Sequence, residues 1–598
     1  MPLQRFFWCV PLLAAVAAYA IAPWGALVWD DQLVARQQMA VLHSLREVFL
    51  PPPGIPQWTY AYYRPVVVLS YLLDQALFGR GAAAGPHVTN VICHLLATLA
   101  VWLLARRLLR RLATGDIAAL VAATLFAVHP IHTEAVSWVT GRSDALATML
   151  LLPALLLLLR WVDTGSRLGF ALAPVAFLLA CLSKEIALSG LLLGPAVVLA
   201  ARAAGTIPAA RRIALRSWLG AAAAWLGAAV LYLALRQAAG TQGAALDAAS
   251  AADLVARLLR ASGYYLGKLA WPWPHAHFVA WDMVPALFPA VTVTGVALLV
   301  TILAWRRRDL PRGAGVLLGM AWTLIALAPA LAVAATSVAV TPVAERYLYL
   351  PSVGLALMGG VAYDAVAARL RPLVAGVLAA GLVLAGIAAT LVRGQVWQSD
   401  LRLWSDAVAR TQCCATLFIE YGKAQFQAGN LREAEDSFRR AARLAAAPRQ
   451  SATAAYNLGV ITVMGGDLPG GEALFQQAIR TDASYALPYY GVGRVHYERG
   501  LRALRAGDVP RARGLFEQAL AQHAVALRLN PAHASAHLET ARVLASLGEL
   551  DAADAGARYQ AAREHIEAAA RLEPAALARP EVQELAARVA NRLRRPAP

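Results

Sequence analysis

Up to about Val392 the chain alternates long apolar runs with short polar breaks, and beyond Arg393 the long runs stop. A membrane-spanning helix needs about 20 mostly apolar residues. The runs at about 6–28, 87–105, 116–137, 144–161, 168–183, 186–201, 217–236, 285–305, 313–335, 346–366 and 372–392 are the candidates for that role and predict about eleven spans. The first run, Phe6 to Val28, is too long for the core of a signal peptide and has no convincing cleavage site. It reads as an uncleaved first span. The stretch 252–270, ending in LGKLAWPWP, is more polar, and the pattern predicts an interfacial or re-entrant helix there.

After Arg393 the periodicity is that of paired amphipathic helices. A small residue is followed sixteen positions later by an aromatic and nineteen later by alanine at Gly422, Phe438 and Ala441. The same spacing recurs at Gly459, Phe475 and Ala478, which is the spacing of tetratricopeptide repeats (TPRs). Later units are looser: Phe516, Ala519 and the Asn530–Pro531 ending imply an insertion, and Ile566, Ala569 and Pro574 close a last unit. A helix pair of this kind buries its apolar face only against its neighbours, so about four units form a curved stack that binds peptides or proteins. The predicted organisation is a membrane domain over 1–393, a connecting segment over 394–414 and a repeat domain over 415–598, with RGQVWQSDLRLW (393–404) seating the first repeat.

Composition agrees with lipid as the solvent of the first part. Hydrophobic residues make up 59% of the chain and charged residues 15%, against about 25% in soluble domains. The net charge of +18 raises the question of nucleic acid. Much of the arginine excess lies in short loops between apolar runs, where it sets topology, so no nucleic-acid partner is expected. The five cysteines, Cys9, Cys93, Cys181, Cys413 and Cys414, lack metal-ligand spacing, and neither metal nor cofactor is expected. The pair Cys413–Cys414 reads as two semi-buried helix residues, with a redox-active vicinal pair as the alternative.

With the N-terminus in the cytoplasm, every basic cluster falls on the inner side, as the positive-inside rule requires. These are Arg106, Arg107, Arg110 and Arg111; Arg160 and Arg167; Arg202, Arg211, Arg212 and Arg216; Arg306, Arg307, Arg308 and Arg312; and Arg369 and Arg371. An odd number of spans then puts the repeats outside. The outward ends carry Asp30 and Asp31; Tyr62, Tyr63 and Arg64; His129, His132 and Glu134; Arg142 and Asp144; Lys184 and Glu185; and Glu345, Arg346 and Tyr347. Charges in apolar surroundings are costly, and several on one face point to a site. An acidic pair supplies a general base, and arginine and lysine hold a phosphate by charge-assisted hydrogen bonds. That set suits transfer of a sugar from a lipid phosphate to a hydroxyl, although an ion or lipid transporter would show similar charges. Read locally, Asp30–Asp31 also caps a helix predicted over 31–49, and Lys184–Glu185 also marks a tight hairpin turn.

The stretch LFAVHPIHTEAVSWVTGRSDAL (125–146) resembles a signature of the transmembrane and tetratricopeptide repeat-containing O-mannosyltransferase family and its bacterial relatives. So do VWDD (28–31), YYRPVVVLSYLLD (62–74), PHVTNVICH (86–94), LSKE (182–185) and VAERYLYLPSVG (343–354), in the family's order and followed by the repeats. The resemblance implies an all-α protein: a polytopic GT-C-type glycosyltransferase domain followed by a TPR solenoid. It also implies a polyprenyl-phosphate sugar donor, mannose in the family, transfer with inversion and no obligatory metal. Asp30 and Asp31 match the family's acidic pair, which includes the catalytic base. Arg64, Arg142, Lys184 and Arg346 become candidates for the donor phosphate, with His129, His132, Glu134, Asp144, Glu185, Glu345 and Tyr347 lining the site.

The expected function is thus that of a multi-pass enzyme of a bacterial inner membrane, with external TPRs recruiting a protein or peptide acceptor. The alternatives are an oligosaccharide ligase or polymerase using a pyrophosphate-linked lipid donor, and a membrane-anchored TPR scaffold without catalysis.

Overall fold

The computed structural model describes residues 6–31, 44–50, 62–79, 81–207, 213–241, 250–336, 341, 343–551 and 554–594. It forms two compact units that divide between Ala407 and Val408. The described residues are overwhelmingly helical, with a lone bridge between Val279 and Val343.

The first unit holds α1 (Cys9–Ala18), α2 (Leu45–Phe49), α3 (Pro65–Phe78), α4 (Ala84–Leu108), α5 (Gly115–Val128) and α6 (Thr133–Ser137). It continues with α7 (Arg142–Thr164), α8 (Arg167–Ser183), α9 (Gly190–Ala203), α10 (Leu215–Ala238) and α11 (Ala251–Ala270). Then come α12 (Leu287–Arg306), α13 (Pro311–Ala334), α14 (Ser352–Ala367) and α15 (Pro372–Gly394), while α16 (Asp400–Arg410) runs across the point of division.

Among the described residues, seven helical stretches are long and apolar enough to cross a membrane, α9 counted with the 3-10 turn before it (Glu185–Ala203), or eight if the bent pair α5–α6 is one span. Shorter apolar helices occupy Cys9–Trp24, Pro65–Phe78, Arg167–Ser183 and Ser352–Ala367. The chain is therefore a membrane protein of several spans. Each of the eleven predicted runs carries an apolar helix, and Pro65–Phe78 is one that the pattern did not single out. The stretch 252–270 forms the single helix α11 and does not qualify as a span. The helix predicted over 31–49 falls mostly on residues outside those described, as do Arg211 and Arg212.

Local chemistry explains the breaks that place the polar residues. Pro130 has no N–H to donate and disfavours helical backbone at His129, so α5 and α6 meet at a bend of 44°. Lys184 is extended (φ −162°, ψ 140°) and separates α8 from a 3-10 turn over Glu185–Ser189. Small residues let the helices approach: a Cβ at Gly354 would lie 2.3 Å from the Gly319 carbonyl oxygen, so α13 and α14 cross almost backbone to backbone. By contrast α12 and α15 expose most of their apolar surface, the arrangement expected where lipid is the solvent.

The second unit stacks α17 (Ala415–Gln427) on α18 (Leu431–Leu444), then α19 (Pro448–Met464) on α20 (Leu468–Thr481). It ends with α21 (Ala486–Arg505), α22 (Val509–Leu529), α23 (Ala534–Leu550), α24 (Ala555–Leu572) and α25 (Pro580–Arg594). The sixteen-residue spacing has a direct cause, since a Cβ at Gly422 or Gly459 would sit 2.6 Å from the ring of Phe438 or Phe475. Gly500 meets Phe516 in the same way, so the third unit keeps the lock and absorbs its insertion in the longer α21 and α22. Cys413 and Cys414 lie in the segment before α17 rather than on a helix, with Cys413 exposed. Among the repeat histidines, His523 is wholly buried beside Gly493 and Tyr490.

Candidate active site

The acidic pair follows a strained residue. Trp29 has φ +57°, left-handed backbone that a bulky residue adopts only when held there. Three contacts with the segment after α15 hold this loop. The Trp29 amide donates to Asp400 Oδ1 at 2.7 Å, the Ala26 amide to the Gln398 carbonyl at 3.1 Å, and the Gln398 side chain to the Ile21 carbonyl at 3.1 Å. The Trp29 ring stacks on Trp138 at 4.8 Å and meets Trp404 edge-on at 5.5 Å. The 393–404 segment thus braces the acidic loop.

The two carboxylates are placed differently. Asp31 is wholly buried and spends both oxygens on backbone amides, Oδ1 on Thr140 at 2.8 Å and Oδ2 on Val28 at 3.1 Å. Asp30 is only partly buried and accepts the Thr140 hydroxyl at 2.7 Å. Burial and the neighbouring Asp30 charge push Asp31 up to about 8, against its two amide donors. Burial also raises Asp30, opposed by the Thr140 hydroxyl and the charge of Arg346.

Around this pair stand three ion pairs whose members come from different elements. Arg346 binds Glu134 twice, through Nη1 at 2.5 Å and its amide at 2.8 Å, and lies 5.4 Å over the Trp138 ring. Lys184 Nζ meets Asp144 at 2.5 Å and the Tyr347 ring at 4.8 Å. Arg64 forks onto Glu185 at 2.9 and 3.4 Å and lies 4.4 Å over Tyr62. Tyr347 also stacks under Arg346 at 4.9 Å and so links the lysine to the arginine. Arg64 and Arg346 retain 21% and 13% side-chain exposure, against 3% for Lys184.

Other expected site residues lie in the scaffold. Arg142 is wholly buried and binds Asp74 at 2.5 Å, Asn90 at 2.6 Å, Pro86 at 2.8 Å and Ser70 at 2.9 Å. Asn90 in turn donates to the Trp138 carbonyl at 2.8 Å, so the two residues fasten the turn that carries Thr140. Glu345 accepts from the Ala276 amide at 2.9 Å and pairs with Lys268 and His275 at 3.1 Å, tying down the loop after α11. His132 packs among Phe126, His94 and Tyr349 with Ser352 Oγ at 2.7 Å, and His129 Nδ1 accepts the Ile131 amide at 3.3 Å. The Tyr63 hydroxyl donates to the Phe49 carbonyl at 3.1 Å. Residue-by-residue reading missed Trp29, Asp74, Asn90, Trp138, Thr140 and Asp400. All but Trp138 and Trp29 are ordinary polar residues whose partners lie far away in the chain.

The tetratricopeptide repeat family model matches residues 421–486 and 497–563. A protein O-mannosyl-transferase of Caenorhabditis elegans is 27% identical over 407 residues, covering 64% of this chain and 54% of that one. The protein O-mannosyl-transferase Tmtc1 of Drosophila melanogaster is 37% identical over 149 residues, 25% of this chain and 17% of the fly protein. An oligosaccharyltransferase from Archaeoglobus fulgidus, solved with a tethered acceptor peptide, overlays with a TM-score of 0.34 at 15% identity, covering 66% of this chain and 55% of that one.

Fold and repeats together define a class, the multi-span membrane proteins that carry a TPR stack. Within that class the chain is similar in sequence to proteins named protein O-mannosyl-transferases of the TMTC type. It spans about half the length of the C. elegans relative.

Proposed function

We propose that the chain is a glycosyltransferase that moves a sugar from a polyprenyl-phosphate donor to a hydroxyl of a protein acceptor. Asp30 takes the proton of the acceptor hydroxyl as its oxygen attacks C1 of the sugar. The bond from C1 to the phosphate oxygen breaks, the configuration inverts, and the polyprenyl phosphate leaves. Arg64 and Arg346, the partly exposed cations, bind the phosphate, while Lys184, held by Asp144, supports the Tyr347 ring that lies against Arg346. Arg142 and Glu345 hold the scaffold. The membrane domain of about 1–393 performs the chemistry, and the repeats bind the acceptor from the external face of a bacterial inner membrane.

The observation that carries this reading is the split of roles within the acidic pair. Asp31 is saturated by backbone amides and organises the loop, whereas Asp30 is partly exposed beside Arg346. A base needs access to its proton and a carboxyl tuned upward toward neutral pH. The test is a transfer assay with the full chain in lipid, a labelled polyprenyl-phosphate mannose and exported proteins of the same cell. The parent labels protein and Asp30→Asn does not. Equal labelling by both would remove Asp30 from the role of base, and labelling only from a pyrophosphate-linked oligosaccharide would replace the donor.

A further inference from the structure

α9 and α10 leave a long apolar groove between them, because α9 packs on α7 while α10 packs on α8. The groove has a volume of about 480 Å³, and its walls include Leu158, Gly194, Val198, Trp218 and Ala222. It runs from Gly190 to Arg202, a rise of about 18 Å at ~1.5 Å per residue. One leaflet of a bilayer is about 15 Å deep, so the groove has the length of a single leaflet's acyl chain. A void of this size in a lipid-facing wall does not stay empty.

Its two ends differ in charge. Gly190 lies just past the Lys184–Glu185 break, at the end of the fold that carries the candidate active site. At the opposite end Arg202 sits 5.8 Å from the Trp218 ring, and Arg216 opens α10 two residues before Trp218. The same end of the helices carries Arg106, Arg107 and Arg110 around a second cavity of about 760 Å³, which Ala201 also lines. A tryptophan beside arginines at a helix end is the arrangement found where headgroups meet the hydrocarbon. The cationic end is the wrong one for a donor whose phosphate sits at Arg64 and Arg346, and the right one for a lipid of the other leaflet.

We propose that this groove is a binding site for an anionic phospholipid, one acyl chain lying between α9 and α10 and the headgroup phosphate at Arg202 and Arg216. The site is independent of the transfer reaction. It closes the gap in the helix wall next to α8, and so braces the helix that ends at Lys184.

The test uses the full chain, delipidated in mild detergent, with thermal melting followed as lipid is added. Phosphatidylglycerol raises the melting temperature saturably, whereas phosphatidylcholine and inorganic phosphate do not. Arg202→Gln weakens the apparent affinity about fivefold, the scale expected for one arginine at an anionic surface. Ala222→Phe, which fills the groove from an exposed position, abolishes the effect. Arg202→Gln alters only an exposed side chain and keeps the test readable if the phenylalanine variant does not fold. Equal stabilisation by phosphatidylcholine, or parent-like responses in both variants, would overturn the proposal. Displacement of phosphatidylglycerol by polyprenyl phosphate would reassign the groove to the donor.

Discussion

The backbone amide of Trp29 donates to Asp400 Oδ1 at 2.7 Å, across 371 residues of chain. That bond joins the residue before the acidic pair to the first turn of α16, at the only positive φ found at a non-glycine residue among those described. Left-handed backbone costs a residue with a Cβ roughly 1–2 kcal/mol, so the loop keeps this shape only while something outside it holds the amide.

Asp400→Ala removes that acceptor, and transfer falls by about a hundredfold, the cost of misplacing a reacting group by about 1 Å. Asp400→Asn keeps an oxygen at the same place and retains most of the rate. Steady-state kinetics on both variants checks this, and the loss falls on kcat more than on KM. Equal damage by both would show that the charge of Asp400, rather than its acceptor, matters.

The acidic pair separates chemistry from stability. Asp30→Asn abolishes transfer and leaves the melting temperature near that of the parent, because asparagine still accepts from Thr140. Asp31→Asn puts an amide NH2 against one of two buried backbone N–H groups and destabilises the unit by about 1–3 kcal/mol. Melting and activity measured together distinguish the two. A stable Asp31→Asn beside an unfolded Asp30→Asn would reverse the roles.

Both members of the pair have carboxyls raised by burial, Asp31 to about 8. The base is active when ionised, and the Asp30 carboxyl is raised by burial, so kcat/KM climbs with pH through a range above the ordinary carboxylate one. Stability runs the other way. A folded value above the unfolded one means that the native state holds the Asp31 proton more tightly, so the contribution of Asp31 to stability is full below about pH 4 and is lost as pH rises through about 8. Thr140→Val removes a donor that favours the ionised form of Asp30 and moves the rising limb to higher pH. A limb that does not move would mean that Asp30 is not the group titrating.

Removal of the repeats tests the division of labour. A chain ending near Cys414 retains Trp397, Gln398, Asp400 and Trp404, the residues that brace the loop. It should transfer sugar to a short hydroxylated peptide at about the parent rate and lose the protein acceptor, with melting measured alongside. A chain cut at Arg393 should lose both. Loss on both acceptors from a well-folded Cys414 truncation would mean that the repeats complete the active site.

The arginine clusters predict that the C-terminus faces outward. A phosphatase reporter fused after Pro598 should be active and one fused near Arg212 inactive. The reverse pattern would turn the whole arrangement over, and the catalytic face with it.

The apolar runs were readable because lipid judges each segment by itself: a run of sufficient length must be a helix whatever its neighbours are. The repeats were readable for a similar reason, since Gly422 must be small wherever Phe438 folds back onto it. Convergence of the polar span ends was legible as well, but the division of labour among them was not. Sequence treats Arg64, Arg142 and Arg346 alike, as cations near the ends of apolar runs. Tertiary packing buries Arg142 on Asp74 and Asn90, and leaves Arg64 and Arg346 partly open on Glu185 and Glu134. Likewise nothing local distinguishes Asp30 from Asp31, or marks Asp400 as the brace of Trp29. Helical periodicity is a property of a few consecutive residues, and one sequence states it in full. The partner of a charge is whichever opposite group packing brings within about 3–4 Å in a medium that screens poorly, and only the folded chain settles that choice.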